Sequence, residues 1–221
     1  LKIVAISDTH GKWNKCQIPE CDLLISAGDY SWRGEHHMVR DFHRWLDKQP
    51  AKHVISVQGN HEKLVEADFE GCKKIALEAC PRVHFIDEGL VEIEGLRIWC
   101  SAITPWFHNW AWNRYPGPEI QQHWDKIPPG VDVIVTHGPP HGILDSVPDF
   151  NGQTFKWEER HCGCPQLLGK ILEVRPRVHI FGHIHPCGGK QIHRDGITFI
   201  NAAICDDDYR AVNAPVVLEI K

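Results

Sequence analysis

Five short motifs in this chain gather side chains that can hold metals: Asp8-x-His10, Gly28-Asp29, Gly59-Asn60-His61-Glu62, His137-Gly138 and Gly182-His183-x-His185. Each alone is weak, because Asp-x-His or Gly-Asp arises often by chance and a lone histidine is commonly a hydrogen-bonded core residue. Their setting makes them informative. Each follows a short apolar run, at residues 3–6, 23–27, 54–57, 131–135 and 178–181. A β-branched run ending in Gly, Asp or His reads as a buried strand stopping at a loop. Ligands of open α/β sheets collect outside the carboxyl ends of the strands. Strands lying side by side would bring these carboxylates, amide and imidazoles to one spot, with donors enough for a two-metal centre.

Those strands need a scaffold, and the intervening sequence supplies it. Met38, Val39, Phe42, Trp45 and Leu46 fall at helical spacing, which predicts a helix over 37–48 that Pro50 stops. Further helices are expected over 64–79 and over 165–174, the latter with Leu167, Leu168, Ile171 and Leu172 facing inward. Residues 83–86, 90–93 and 96–101 read as short strands, with Glu94-Gly95 a tight hairpin turn. Residues 192–194 and 198–200 flank a second turn, Asp195-Gly196, and 216–220 close the chain as a strand. Crossovers early and hairpins later predict an α/β fold of two mixed sheets packed face to face, with helices outside. One segment, 104–130, fits no regular element and carries Trp106, Phe107, His108, Asn109, Trp110, Trp112 and Tyr115. It reads as an aromatic-rich loop insertion in a single domain spanning 1–221. Such a loop either folds its own small core or walls the metals and stacks on a planar leaving group.

Bulk composition narrows the function classes. With 221 residues the chain can build one domain with a substantial core. Net charge is −5 and no run of Lys or Arg forms a basic track, which argues against long nucleic acids as partners. No apolar stretch reaches membrane-spanning length and no leader precedes the first strand, so no membrane association is expected. Nine cysteines, odd in number and scattered, do not suggest a disulfide framework and predict a reducing, cytoplasmic setting.

Taken together and in order, the five motifs resemble those of calcineurin-like metallophosphoesterases, over nearly the whole chain from Asp8 to His185. The resemblance implies a four-layer α/β/β/α sandwich of two mixed sheets flanked by helices. It implies that Asp8, His10 and His185 hold one metal, that Asn60, His137 and His183 hold a second, and that Asp29 bridges both. It also makes His61 the catalytic histidine. Thr136-His137-Gly138-Pro139-Pro140, Trp106-Phe107, Arg175-Pro176-Arg177 and Ile200-Asn201-Ala202 are similar to the branch of small brain-type and bacterial phosphodiesterases. Some members of that branch carry Gly where this chain has His183, so the ligand set here is complete. Pro186-Cys187-Gly188 departs from the Glu-Gly-Tyr usual there. Tyr30-Ser31-Trp32-Arg33-Gly34 resembles an element of protein Ser/Thr phosphatases, with Arg33 at the phosphate-clamping position. Trp32 replaces the aspartate that would orient the catalytic histidine, so His61 must find another partner or act less effectively.

The donor set fits that assignment chemically. Four imidazoles, one amide oxygen and two carboxylates suit two borderline first-row divalent ions, Mn²⁺ first, with Fe, Zn, Co or Ni as alternatives. Two such ions about 3.5–4 Å apart would acidify a bridging water and clamp the phosphoryl oxygens. The complete ligand set, the aromatic loop and the lack of a basic track predict a phosphodiesterase for small phosphodiesters, cyclic nucleotides among the candidates, working by in-line attack of the bridging hydroxide with His61 as general acid. Arg33, Trp106, His108 and Asn109 are the expected substrate contacts, and His141, four residues past His137, is a further histidine of interest. A phosphomonoesterase or nucleotide or protein phosphatase would use the same centre, encouraged by Arg33. A non-catalytic protein-binding scaffold is disfavoured by the intact His61.

Overall fold

The computed structural model describes residues 1–151 and 156–220. Four parallel strands start the fold: β1 (Lys2–Ile6), β2 (Cys21–Ala27), β3 (Ala51–Val57) and β4 (Val83–Ile86). They lie in the order 1-2-3-4, and the last strand, β15 (Val216–Glu219), runs antiparallel along β1. Ile3 to Ile6 and Leu23 to Ile25 are fully buried, as expected of parallel strands covered on both faces. Helix α1 (His36–Asp47) turns Val39, Phe42 and Leu46 inward and packs beside α3 (Phe69–Ala79).

The second sheet has the order β13-β14-β12-β9-β6-β5. Its parallel centre is β6 (Leu96–Ser101), β9 (Val133–Thr136), β12 (Val178–Phe181) and β14 (Ile197–Asn201). Antiparallel hairpins add β5 (Glu88–Ile93) and β13 (Lys190–Arg194) at the edges. Glu94-Gly95 and Asp195-Gly196 make those turns with all four φ angles positive (51°, 82°, 54° and 80°), as a two-residue type I′ turn requires. Helices α4 (Pro118–Trp124) and α5 (Pro165–Val174) pack beside each other. The result is an α/β/β/α sandwich of two mixed sheets. The two sheets are stitched at their carboxyl edges: Ser7 N–H donates to Ala202 O (2.8 Å) and Ile204 N–H to Ser7 O (2.9 Å). That stitch sets the end of β1 beside the ends of β12 and β14.

Three elements differ from the sequence expectation. The helix expected over 64–79 breaks at Asp68 into α2 (Lys63–Ala67) and α3, because the Asp68 carboxylate accepts from Gly71 N–H (3.1 Å) and caps the second helix. Segment 104–130 is not wholly irregular: β7 (Thr104–Pro105) pairs with β8 (Asn113–Arg114), and α4 follows. Seven residues are too few for periodicity to announce that helix. The hairpin of β10 (Ser146–Asn151) and β11 (Lys156–His161) has no counterpart in the sequence reading, since β11 is exposed throughout and, Trp157 apart, polar, so it shows no alternation. Among the described residues no helix is long and apolar enough to cross a membrane, and all nine cysteines are free.

Candidate metal centre

Beyond the strands the loops keep the parallel register. Asp8 N–H donates to Gly28 O (2.9 Å), His10 N–H to Asp29 O (3.0 Å) and Gly11 N–H to Tyr30 O (2.9 Å). Within these loops Asp8, His10 and Asp29 have left-handed backbones (φ 51°, 40° and 53°), as does His183 after β12 (φ 67°). Each such non-glycine position costs on the order of 1–3 kcal/mol and is kept where a site demands it. Gly59 serves the site by lacking a side chain. A Cβ there would run into the Asp29 carboxylate, so only glycine lets the β2 and β3 loops close this tightly.

Two donor groups result. In the first, His185 Nε2 is 3.4 Å from Asp8 Oδ1 and 3.3 Å from His10 Nε2, and His10 Nε2 is 4.0 Å from Asp8 Oδ1. In the second, His137 Nε2 is 3.3 Å from Asp29 Oδ2 and 2.8 Å from Asn60 Oδ1, and His183 joins Asp29 and His137. Asp29 Oδ2 also lies 3.9 Å from His10 Nε2, so its carboxylate stands between the groups. Metal bonds of about 2.1 Å place neighbouring donors ~3.0–3.5 Å apart, close to these spacings. Among the described residues Asp8 Oδ1 is buried without a hydrogen bond, its neighbour His185 Nε2 standing 3.4 Å away, an arrangement an anion tolerates where a cation belongs. The side chains present therefore fit divalent ions, and besides these two groups His10, Asp29 and His61 form a third that overlaps both.

The surroundings aim the ligands. His137 Nδ1–H donates to Ala27 O (2.8 Å) and His185 Nδ1–H to Asp206 O (2.9 Å), which turns both Nε2 atoms inward. His183 N–H donates to Asp8 Oδ2 (2.8 Å), and His61 N–H to Asp29 Oδ1 (2.9 Å). Glu62, fully buried, accepts from the N–H groups of Asp29 (2.9 Å), Gly59 (2.8 Å) and Ser31 (3.0 Å) and from the Ser31 hydroxyl (2.9 Å). It buckles the β2 loop to the β3 loop. Burial and the Asp29 charge push its carboxyl up to about 8.

Charge follows from the same geometry. Burial opposes ionisation of Asp8 and Asp29, but His185 holds Asp8 down at about 2 and His137 holds Asp29 well below the usual carboxylate range. Burial likewise opposes protonation of the imidazoles. Asp29 overcomes it at His137, lifted to about 10, and Asp8 at His185, lifted to about 9. At His10 and His183 burial wins, and both drop to about 4. Protons on His137 and His185 thus occupy the place that metal charge would take.

His61 lies at the edge of this cluster, Nε2 3.9 Å from Asp29 Oδ2. Its Nδ1–H donates to the backbone carbonyl of Trp32 (3.2 Å), and its ring stacks on Trp110 at 4.4 Å. A main-chain oxygen therefore takes the orienting role for which Trp32 offers no carboxylate. Ala111 N–H donates to Asn60 O (3.0 Å), Trp112 N–H to Glu66 (2.8 Å) and Lys63 to Asn109 O (2.7 Å), so the aromatic segment is tied onto the β3 loop.

A cleft of about 240 Å³ opens over Asp29, Asn60, His61, His183 and His185. The four expected substrate contacts do not line it. Trp106 stacks on Tyr115 (4.7 Å), His108 and Asn109 form an exposed turn, and Arg33 is exposed beside Glu35. Phe107 and Trp110 line the cleft instead, joined by Tyr209 and Asp207. Sequence reasoning passed over Tyr209, whose ring lies 4.8 Å from His10 and 4.8 Å from Trp32. No motif marks it. His141 stands apart from the cleft, near Asp145 and His161 at the base of the β10–β11 hairpin. A larger cavity of about 610 Å³ lies around Lys2, Asp22, Lys52 and Arg82 and holds none of the candidate ligands.

Comparison with known proteins agrees with this geometry. The family model for calcineurin-like phosphoesterases matches residues 1–187. The chain is 34% identical over 240 residues to human metallophosphoesterase domain-containing protein 1, covering 99% of this chain and 71% of that protein. A phosphopantetheinyl hydrolase from Mycobacterium tuberculosis shares the fold with a TM-score of 0.58 at 17% identity, over 94% of this chain and 90% of that one. An archaeal phosphodiesterase does so at 0.50 and 16%, over 99% and 93%. With its five strand-end motifs gathered where the carboxyl edges of the two sheets meet, the chain belongs to the calcineurin-like phosphoesterase family, whose members are metal-dependent phosphoester hydrolases.

Proposed function

We propose that this protein is a dinuclear phosphodiesterase for small phosphodiesters, with cyclic nucleotides among the candidate substrates. In this reading Asp8, His10 and His185 hold one ion, Asn60, His137 and His183 the other, and Asp29 bridges them; Mn²⁺ is the first choice. When bound, the ions would supply an acidified water and positive charge for the phosphoryl oxygens. His61 is the general acid. Its Nδ1 is fixed on the Trp32 carbonyl, so a proton on Nε2 faces the reacting centre and can pass to the departing alkoxide. Stacking on Trp110 holds that ring in place.

One observation carries the preference for diesters: no lysine or arginine is among the described residues lining the cleft. A diester brings one negative charge, whereas a monoester brings nearly two and gains from a side-chain clamp. Arg33, the clamp expected for a phosphatase, is exposed outside the cleft. The net charge of −5 supports a small substrate over a long nucleic acid. Nine unpaired cysteines support a reducing, cytoplasmic setting.

Initial rates of the Mn²⁺-loaded protein on bis-p-nitrophenyl phosphate and p-nitrophenyl phosphate test the reading. We expect the diester to lead in kcat/KM by roughly tenfold, equivalent to ~1.4 kcal/mol at the transition state. A clear preference for the monoester overturns it. A panel of 2′,3′- and 3′,5′-cyclic nucleotides then asks whether that class is accepted.

A further inference from the structure

Away from the ligands, the cleft wall is aromatic and acidic. Phe107 (51% exposed), Trp110 and Tyr209 (36% exposed) line it together with Asp207. Arg210 pairs with the flanking carboxylates, Asp206 at 2.6 Å and Asp208 at 2.9 Å, while Asp207 has no ion-pair partner among the described residues. Tyr209 is held there on a left-handed backbone (φ 57°), a strained choice for a tyrosine. Faces of aromatic rings attract cations, and an unpaired carboxylate beside them adds to that field. The adjoining groove, which shares Val147 and Pro186 with the cleft, continues the pattern with Trp157 (71% exposed) and Glu159. The lysine of that groove, Lys190, donates to Pro186 O (2.9 Å). At about 240 Å³ the cleft is below the usual range for drug-sized ligands, roughly 300–1,000 Å³.

We infer that this wall is a cation subsite, selecting small phosphodiesters in which one alcohol carries an ammonium group. The inference rests on the phosphodiesterase reading for the ester it selects. Cyclic nucleotides then rank below ammonium-bearing diesters as substrates.

Binding tests the subsite without requiring turnover. Phosphocholine and its uncharged-tail isostere, 3,3-dimethylbutyl phosphate, are titrated calorimetrically into the Mn²⁺-loaded protein. Phosphocholine is expected to bind roughly tenfold tighter, the scale of a desolvated cation–π contact. The ratio should shrink toward unity in Asp207→Asn and in Tyr209→Leu, both exposed enough to leave folding intact. Equal or tighter binding of the isostere, a ratio unmoved in both variants, or binding of neither ligand overturns the subsite. In turnover, p-nitrophenyl phosphocholine should exceed p-nitrophenyl 3,3-dimethylbutyl phosphate in kcat/KM by the same factor. If neither diester is hydrolysed while the binding preference holds, the phosphodiesterase reading fails and the subsite stands.

Discussion

His61 and Asp29 sit one hydrogen bond apart and play different parts, which makes them separable by substitution. Asp29 Oδ2 lies among the donors of both groups, whereas His61 faces that oxygen from outside, its Nδ1 spent on a carbonyl. His61→Ala should therefore leave metal content near that of the parent protein and lower kcat by about 10²–10⁴-fold, the usual worth of a positioned acid. Steady-state kinetics with elemental analysis checks this. Unchanged turnover would mean that another group, or none, protonates the leaving oxygen. The protons on His137 and His185 make a second prediction. With both imidazoles lifted, to about 10 and about 9, metal binding at neutral pH must displace them. Calorimetry in buffers of different ionisation enthalpy should show roughly two protons released as the site fills. Release of none would mean that His137 and His185 carry no extra proton before the metal binds.

At the scale of elements, strand ends were the legible part. Val54, Ile55 and Val57 announce a buried strand, and Gly59-Asn60-His61 announces the loop that leaves it, because those residue types have few other uses in that order. The candidate centre was legible for the same reason: each candidate ligand sits within four residues of a run whose end is visible. What closes the site was not legible. The partner of His61 is a main-chain carbonyl, which every residue carries. Tyr209 arrives through a loop after β14 with no periodicity to mark it. In the aromatic segment, His108, Asn109 and Trp112 adopt left-handed backbones (φ 50°, 51° and 51°), so no repeat reveals that Trp110 rather than Trp106 faces the cleft. Glu62 was visible as a letter but not as a buckle. Replacing it by Gln puts an NH₂ group where donated hydrogens converge and should cost about 1–3 kcal/mol in urea unfolding above about pH 8, where the carboxylate is ionised. Gly59→Ala should weaken metal binding by forcing the Asp29 carboxylate aside, seen as loss of bound Mn²⁺ at limiting metal. An alanine variant that retains full occupancy would show that the loops have room to spare.

Across the whole molecule, charge at the centre couples to stability. His137 and His185 have folded values above the ordinary 6.5, so they stabilise the metal-free fold fully below about pH 6.5 and lose that contribution as pH rises through 9 to 10. His10 and His183 have folded values near 4, so their contribution is present above 6.5 and lost as pH falls toward 4. Metal-free protein should accordingly be most stable near neutrality, with Tm declining toward about pH 9.5. The metal-loaded form should hold its Tm over that alkaline range, because ions replace the displaced protons, and lose metal below about pH 6 as the imidazoles protonate. Parallel alkaline decline in the two forms would separate the histidines from metal binding. The sandwich itself makes this coupling global: the stitch of Ser7 to Ala202 and Ile204 joins the sheet that carries Asp8 and Asp29 to the sheet that carries His137, His183 and His185.

The most direct measurement is the number of ions held. Wild type and Asp29→Ala are loaded with Mn²⁺, freed of excess metal by gel filtration and analysed for manganese per chain. The account predicts about two ions in the wild type and essentially none in the variant, since one carboxylate serves both positions. A single ion in the wild type, or two retained without Asp29, would contradict it.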